Sequence, residues 1–81
     1  MSIAAQKVLK SFAGGNSFHM GNISTDGKEV YSYHMLIARR NGTVIEILDV
    51  DCAPTRTTTM HIKAVLEFFK GHPTHWVESF E

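Results

Sequence analysis

His19, His34 and Asp49 carry the side chains of this sequence best suited to hold a divalent metal or pass a proton. Two imidazoles and a carboxylate form a workable donor set for a transition ion. They lie far apart in the chain, so that chemistry needs strand pairing to bring them together. A second candidate is T-R-T-T-T-M-H at residues 55–61. If this run opens a helix, its free N–H groups and positive dipole end favour an anion, with Arg56, the hydroxyls and His61 as added donors. The plainer reading is redundant capping with one exposed arginine. No Gly-rich phosphate loop accompanies the run, so a nucleotide site has little support.

Other reactive types are sparse. Cys52 is the only cysteine, which rules out an internal disulfide and fits a cytosolic (host-cell cytoplasmic) protein. It reads as a small buried hydrophobe. Asp26, Glu29, Glu46, Asp49 and Asp51 form no diagnostic carboxylate pair. Met1, Met20, Met35 and Met60 read as gap-filling core residues. No catalytic residue and no cofactor are assigned. Eight Lys and Arg balance eight Asp and Glu, which argues against a general phosphate-backbone binder. Arg39, Arg40 and Arg56, with Tyr31 and Tyr33 as stacking rings, keep a local nucleic-acid contact open.

These residues need elements to hold them. Eighty-one residues make one domain, 1–81, with a modest core. No apolar run approaches a membrane span, and Gln6, Lys7 and Lys10 interrupt any signal-peptide core. Ser2 can cap a first helix whose stripe is Ala5, Val8, Leu9 and Phe12, ended by Gly14-Gly15. Phe18 to Ser24 reads as a weak strand with a bulge at Gly21, followed by an Asp26-Gly27 turn. A long strand from Glu29 to Arg40 then pairs with Thr43 to Val50 across Asn41-Gly42, a strong hairpin signal. A second helix, capped by a threonine among 57–59, carries the stripe Ile62, Val65, Leu66 and Phe69 and stops at Gly71 and Pro73. The tail can dock as a short C-terminal strand or a turn. The expected fold is α+β: a three-stranded antiparallel meander with two helices, in the order α-β-β-β-α.

A two-residue turn at Asn41-Gly42 sets Ala38 opposite Ile45, Leu36 opposite Ile47 and His34 opposite Asp49. A similar turn at Asp26-Gly27 sets His19 opposite His34, which completes the metal row. A hydrogen-bonded His34–Asp49 pair is the simpler use of those residues. The same alternation puts Tyr31, Tyr33, Met35 and Ile37 on one face of the long strand. Two helices cannot cover both faces, so that aromatic face is left for the tail or for a partner.

Ser32-Tyr33-His34-Met35-Leu36-Ile37-Ala38-Arg39-Arg40 and Thr57-Thr58-Thr59-Met60-His61 resemble the motifs S-Y-x-x-x-I-A-x-R and T-T-x-x-H of a group of small uncharacterised bacteriophage and mobile-element proteins. The likeness runs from about Gly21 to Val65. It implies a phage or mobile-element origin and a small α+β fold, with no activity to carry over. Asp51-Cys52-Ala53-Pro54 departs from the Tyr-Ser that the group has before its helix.

The expected function is a non-enzymatic protein-binding module, acting on a host or defence protein as an inhibitor or pairing with itself through the sheet. Its candidate contact residues are Tyr31, Tyr33, Met35, Ile37, Arg39, Arg40, Arg56 and His61. The alternatives are a nucleic-acid-binding accessory and a small hydrolase or nuclease built on the His/Asp row.

Overall fold

The structure, a computed structural model, describes residues 2–80. Helix α1 (Ile3–Ala13) starts as expected, with the Ser2 hydroxyl accepting from the Ala5 N–H, and buries Ala5, Val8, Leu9 and Phe12. Six strands follow: β1 (Phe18–Met20), β2 (Ile23–Thr25), β3 (Glu29–Ser32), β4 (Met35–Asn41), β5 (Val44–Leu48) and, after helix α2 (Arg56–Phe68), β6 (Thr74–Val77). They form one mixed sheet in sequential order. The α+β class stands, and the three-stranded sheet is corrected to six strands.

Two of the three expected strands are themselves hairpins. The stretch from Phe18 reverses at Gly21-Asn22, so β1 pairs with β2. The stretch from Glu29 reverses at Tyr33-His34, so β3 pairs with β4. Tyr33 takes a positive φ of 57° to make that turn. A 3-10 turn at Val50–Cys52 and α2 then carry the chain back along the sheet. The tail therefore leaves at the end where β5 began, and β6 pairs with β5 in parallel.

The Asn41-Gly42 hairpin forms with a shifted register. Asn41 pairs with Val44, so the two loop residues are Gly42 and Thr43. Gly42 has a φ of 63° and Asn41 is not in the positive-φ region. Glycine thus sits at the first loop position, as a type II′ turn requires, and not at the second. Ala38 faces Ile47 rather than Ile45. The slip is of two residues, so Ala38, Arg39, Ile45, Glu46 and Ile47 keep their predicted faces while every predicted pair is lost.

Both helices lie on one face. Ile23, Val30, Ala38, Ile45 and Ile47 meet α1 and the Ile62, Val65 and Phe69 side of α2 in a single core. Leu66, expected in that core, is only half-buried, whereas Phe69 is buried just past the helix end. Val30 pairs with Ala38 but Tyr31 pairs with Leu36, which leaves Ile37 as an extra residue in β4. This β-bulge turns Ile37 into the core, where it is fully buried.

The open face is a charge ladder. Glu29, Arg39, Glu46 and His75 follow one another across four strands. Arg39 Nε donates to Glu46 at 2.6 Å, and the Arg39 guanidinium lies 5.1 Å from the Phe80 ring centroid. The Tyr31 hydroxyl donates to Glu29 at 2.6 Å. That bond to a carboxylate pushes the Tyr31 pKa up to about 12.

Arg40 ties the other end together. Its guanidinium donates to the Phe12 carbonyl at 2.6 Å and to the Gly27 carbonyl at 2.7 Å, and lies 4.6 Å from the Phe12 ring centroid. Gly27 rests against the Gly15 backbone so closely that a Cβ would sit 2.5 Å from the Gly15 oxygen. Arg40→Met should therefore lower stability by about 2–4 kcal/mol, since hydrogen bonds from a charged group are worth roughly 1.5–3 kcal/mol each and are not additive. Lys63→Ala, an exposed change, should stay within about 0.5 kcal/mol. Urea melts of both variants check the contrast.

Candidate functional site

The β3–β4 reversal places Ser32 at the end of its strand with its hydroxyl turned into the protein. It meets the first turns of α2 there. Thr55 caps that helix, two residues earlier than the sequence reading placed the cap, and its hydroxyl accepts from the Thr58 N–H. The Thr55 hydroxyl also donates to the Thr58 hydroxyl at 3.2 Å. Thr58 lies 3.1 Å from the Ser32 hydroxyl, and Ser32 lies 2.6 Å from His61 Nδ1. Ser32 and Thr58 are buried, while His61 is half-buried.

The direction of this chain follows from its first link. The Thr58 hydroxyl accepts a hydrogen bond from Thr55, so it can donate onward to Ser32, and Ser32 can donate to His61 Nδ1. That sequence satisfies each oxygen and makes Nδ1 an acceptor, which leaves the imidazole hydrogen on Nε2. Burial holds the His61 pKa below its ordinary 6.5, which favours the neutral ring.

His61 also lines a groove of about 280 Å³ between the helices, bounded by Ser2 and Ala5 of α1 and by Thr57, Met60, Lys63, Ala64 and Glu67 of α2. Pairing Ser32 with Thr58 puts the start of α2 at the Tyr33-His34 end of the sheet. Arg40 holds the end of α1 at the opposite end. Both helices therefore begin at the same end of the molecule. Neither carries an acidic residue in its first turn. Ile3, Met60 and Tyr33 project there, 69%, 61% and 51% exposed.

The predicted metal row does not form. His19 pairs with Ser24, His34 sits in the exposed turn, and the Asp49 carboxylate accepts from the Asp51 N–H. Among the described residues no three His, Cys, Asp or Glu side chains gather as metal ligands. The His34–Asp49 pair is lost with them, because Tyr33 and His34 belong to a turn and not to a strand.

The predicted contact residues separate. Tyr31 joins the open-face ladder, Met35 is half-buried, Ile37 is in the core, and Arg39 and Arg40 are engaged within the protein. Arg56 is exposed at the start of α2, and Tyr33 is exposed with its hydroxyl accepting from Asn22 at 3.3 Å. Of the eight, Tyr33, Arg56 and His61 share the helix-start end. Met60 is exposed rather than a core filler, and Met1 lies outside the described residues.

Cys52 is exposed and not buried. Partial desolvation, with the carboxylates of Asp49, Glu78 and Asp51, raises its thiol pKa, the wrong direction for a nucleophile.

Ser32, Thr58 and Ile3 were not singled out from sequence. The first two lie within the two motif runs, but nothing in those runs sets Thr58 apart from Thr57 and Thr59; its burial against Ser32 does. Compared with family models, curated proteins and solved structures, the chain matches none.

Ser32→Ala should lower stability by about 1–3 kcal/mol, because it removes the acceptor of the Thr58 hydroxyl hydrogen and the donor to His61 Nδ1. The pH dependence has a definite sign. With its folded pKa below 6.5, His61 binds fewer protons folded than unfolded. Its contribution is complete at higher pH and is lost as pH falls below that value. His61→Gln should remove this component, and urea melts of both proteins above and below the histidine range read it directly.

Proposed function

We propose that this chain is a small non-enzymatic protein-binding module that docks through the end where its two helices begin. The observation behind this reading is that Ile3, Tyr33 and Met60, all largely exposed, belong to the end where the helices begin, with Met60 lining the His61 groove. Large apolar side chains concentrated at one place on a small domain usually mark an interface. Tyr33 adds weight. A left-handed conformation costs a non-glycine residue about 1–2 kcal/mol, and Tyr33 is the non-glycine residue with positive φ among those described. Strain kept for an exposed ring is accounted for when the ring is used by a partner. The class of target, a host or defence protein to be inhibited, rests on the likeness of the two motifs to phage and mobile-element proteins.

The competing readings lose their main groups. A nucleic-acid accessory would use Arg39, Arg40, Arg56, Tyr31 and Tyr33; Arg39 and Arg40 are bound to Glu46, Phe12 and Gly27 and Tyr31 to Glu29, which leaves Arg56 and Tyr33 exposed. A hydrolase or nuclease built on the His/Asp row would need His19, His34 and Asp49 together, and they lie in β1, the Tyr33-His34 turn and the cap of the 3-10 turn.

A second reading, self-association, is favoured by β6. The Pro73 and Val77 carbonyls accept from β5, so the alternating backbone groups of Thr74 and Trp76 point away from the sheet. The strand holds no Lys, Asp or Glu to block edge pairing, and Trp76 is 47% exposed.

Tyr33→Gly removes the ring and suits the left-handed turn, so the fold should persist. It should abolish capture of a host protein that the parent chain retains, and Met60→Glu should do the same. Binding of the purified target that is unchanged in both variants would remove this docking end. Trp76→Lys should instead convert any dimer seen by sedimentation into monomer while leaving target capture intact.

A further inference from the structure

The hydroxyl chain beneath the docking end has one end that can change its charge. We propose that protonation of His61 is a switch that loosens the clasp between the first turns of α2 and the Tyr33-His34 reversal. The coupling is a property of the protein alone, and its consequence for binding rests on the reading of that end as the docking surface.

The mechanism follows from the order of donors. In the neutral state each hydroxyl donates to the next, from Thr55 through Thr58 and Ser32 to His61 Nδ1. One proton taken from solvent places a hydrogen on Nδ1, which must then donate to Ser32. The Ser32 hydroxyl turns towards Thr58, and Thr58 already receives from Thr55. The hydrogen of the Thr58 hydroxyl loses its acceptor, and the one other oxygen of the hydroxyl chain within reach, Thr55 Oγ1, already accepts from the Thr58 N–H and donates to Thr58. Thr58 is 2% exposed, and an unsatisfied buried hydroxyl is costly because no water replaces the lost partner. The cost falls where β3 meets α2, and Tyr33 is the next residue after Ser32.

Few charges compete with His61 for this role. β3 presents the neutral Ser32 and α1 presents Ser2 and Ala5, while Lys63 and Glu67 line the groove from its own helix. These two have opposite charge. Tyr33 and His34 form the turn beyond Ser32. Burial already lowers the His61 pKa, so the imidazolium form is the disfavoured one.

The test is an NMR pH titration of the whole protein across the histidine range, about pH 7.5 to about pH 5. In the parent chain, the amide shifts of Ser32, Tyr33 and Thr58 should follow the His61 ring, with a midpoint below 6.5. Protection of the Tyr33 and Thr58 amides, taken as exchange relative to the intrinsic rate at each pH, should fall severalfold on the acid side. His61→Gln should keep those amides flat, and His34→Gln should leave them titrating. Should His61→Gln fail to fold, Ser32→Ala serves instead: the His61 ring still titrates but Tyr33 no longer follows it. Amides that titrate equally in His61→Gln, or a His61 titration whose effects stay within α2, would overturn the switch. Target binding that is unchanged in Tyr33→Gly and Met60→Glu while this coupling persists would overturn the docking reading alone.

Discussion

A straight strand from Glu29 to Arg40 does not fit in a molecule of this size. Its twelve residues, at about 3.3 Å each, would run roughly 40 Å. The longest dimension of the protein is 28 Å. The chain must reverse, and it does so at Tyr33-His34, with Tyr33 in the left-handed region. Much of the molecule depends on that reversal. It ends β3 at Ser32, whose hydroxyl then meets α2. It also turns β4 back towards α1, where Arg40 reaches the Phe12 carbonyl.

A domain this small has little apolar surface to bury, and its ties are partly polar. One end is closed by Arg40, bound to two backbone carbonyls and stacked on Phe12. The other is closed by the hydroxyl chain that ends at His61. No described buried side-chain N or O atom lacks a partner, so these ties do not leave the desolvation penalty that polar interiors risk. The open face of the sheet needs no second layer, because alternating charges cross it and Phe80 folds back over Arg39. Among the described residues no helix is long and apolar enough to cross a membrane.

The motif residues divide by burial. Ser32, Ile37, Ala38, Arg40, Thr58 and His61 all serve the interior or its ties. Tyr33 and Thr57 are the motif residues left for the surface. They lie at the end where Ile3 and Met60 also project.

Local chemistry alone determined several elements. The Ser2 cap, the α1 stripe and the apolar side of α2 at Ile62 and Val65 follow from 3.6-residue periodicity and side-chain oxygen, and all are present. The hairpin after β4 and a short C-terminal strand were also legible. Register was not. Asn41-Gly42 fixes that the chain turns, but which residue takes the positive φ depends on how β4 packs, and Gly42 takes it alone. The break at Tyr33 carries no glycine or proline, so only the length of the domain demands it. The bulge at Ile37 arises because a core on one face needs both Ile37 and Ala38 inside, which period-two alternation forbids. The meeting of Ser32, Thr58 and His61 joins residues up to 29 positions apart. Such a contact is a product of topology, and topology is set by what the whole chain can bury.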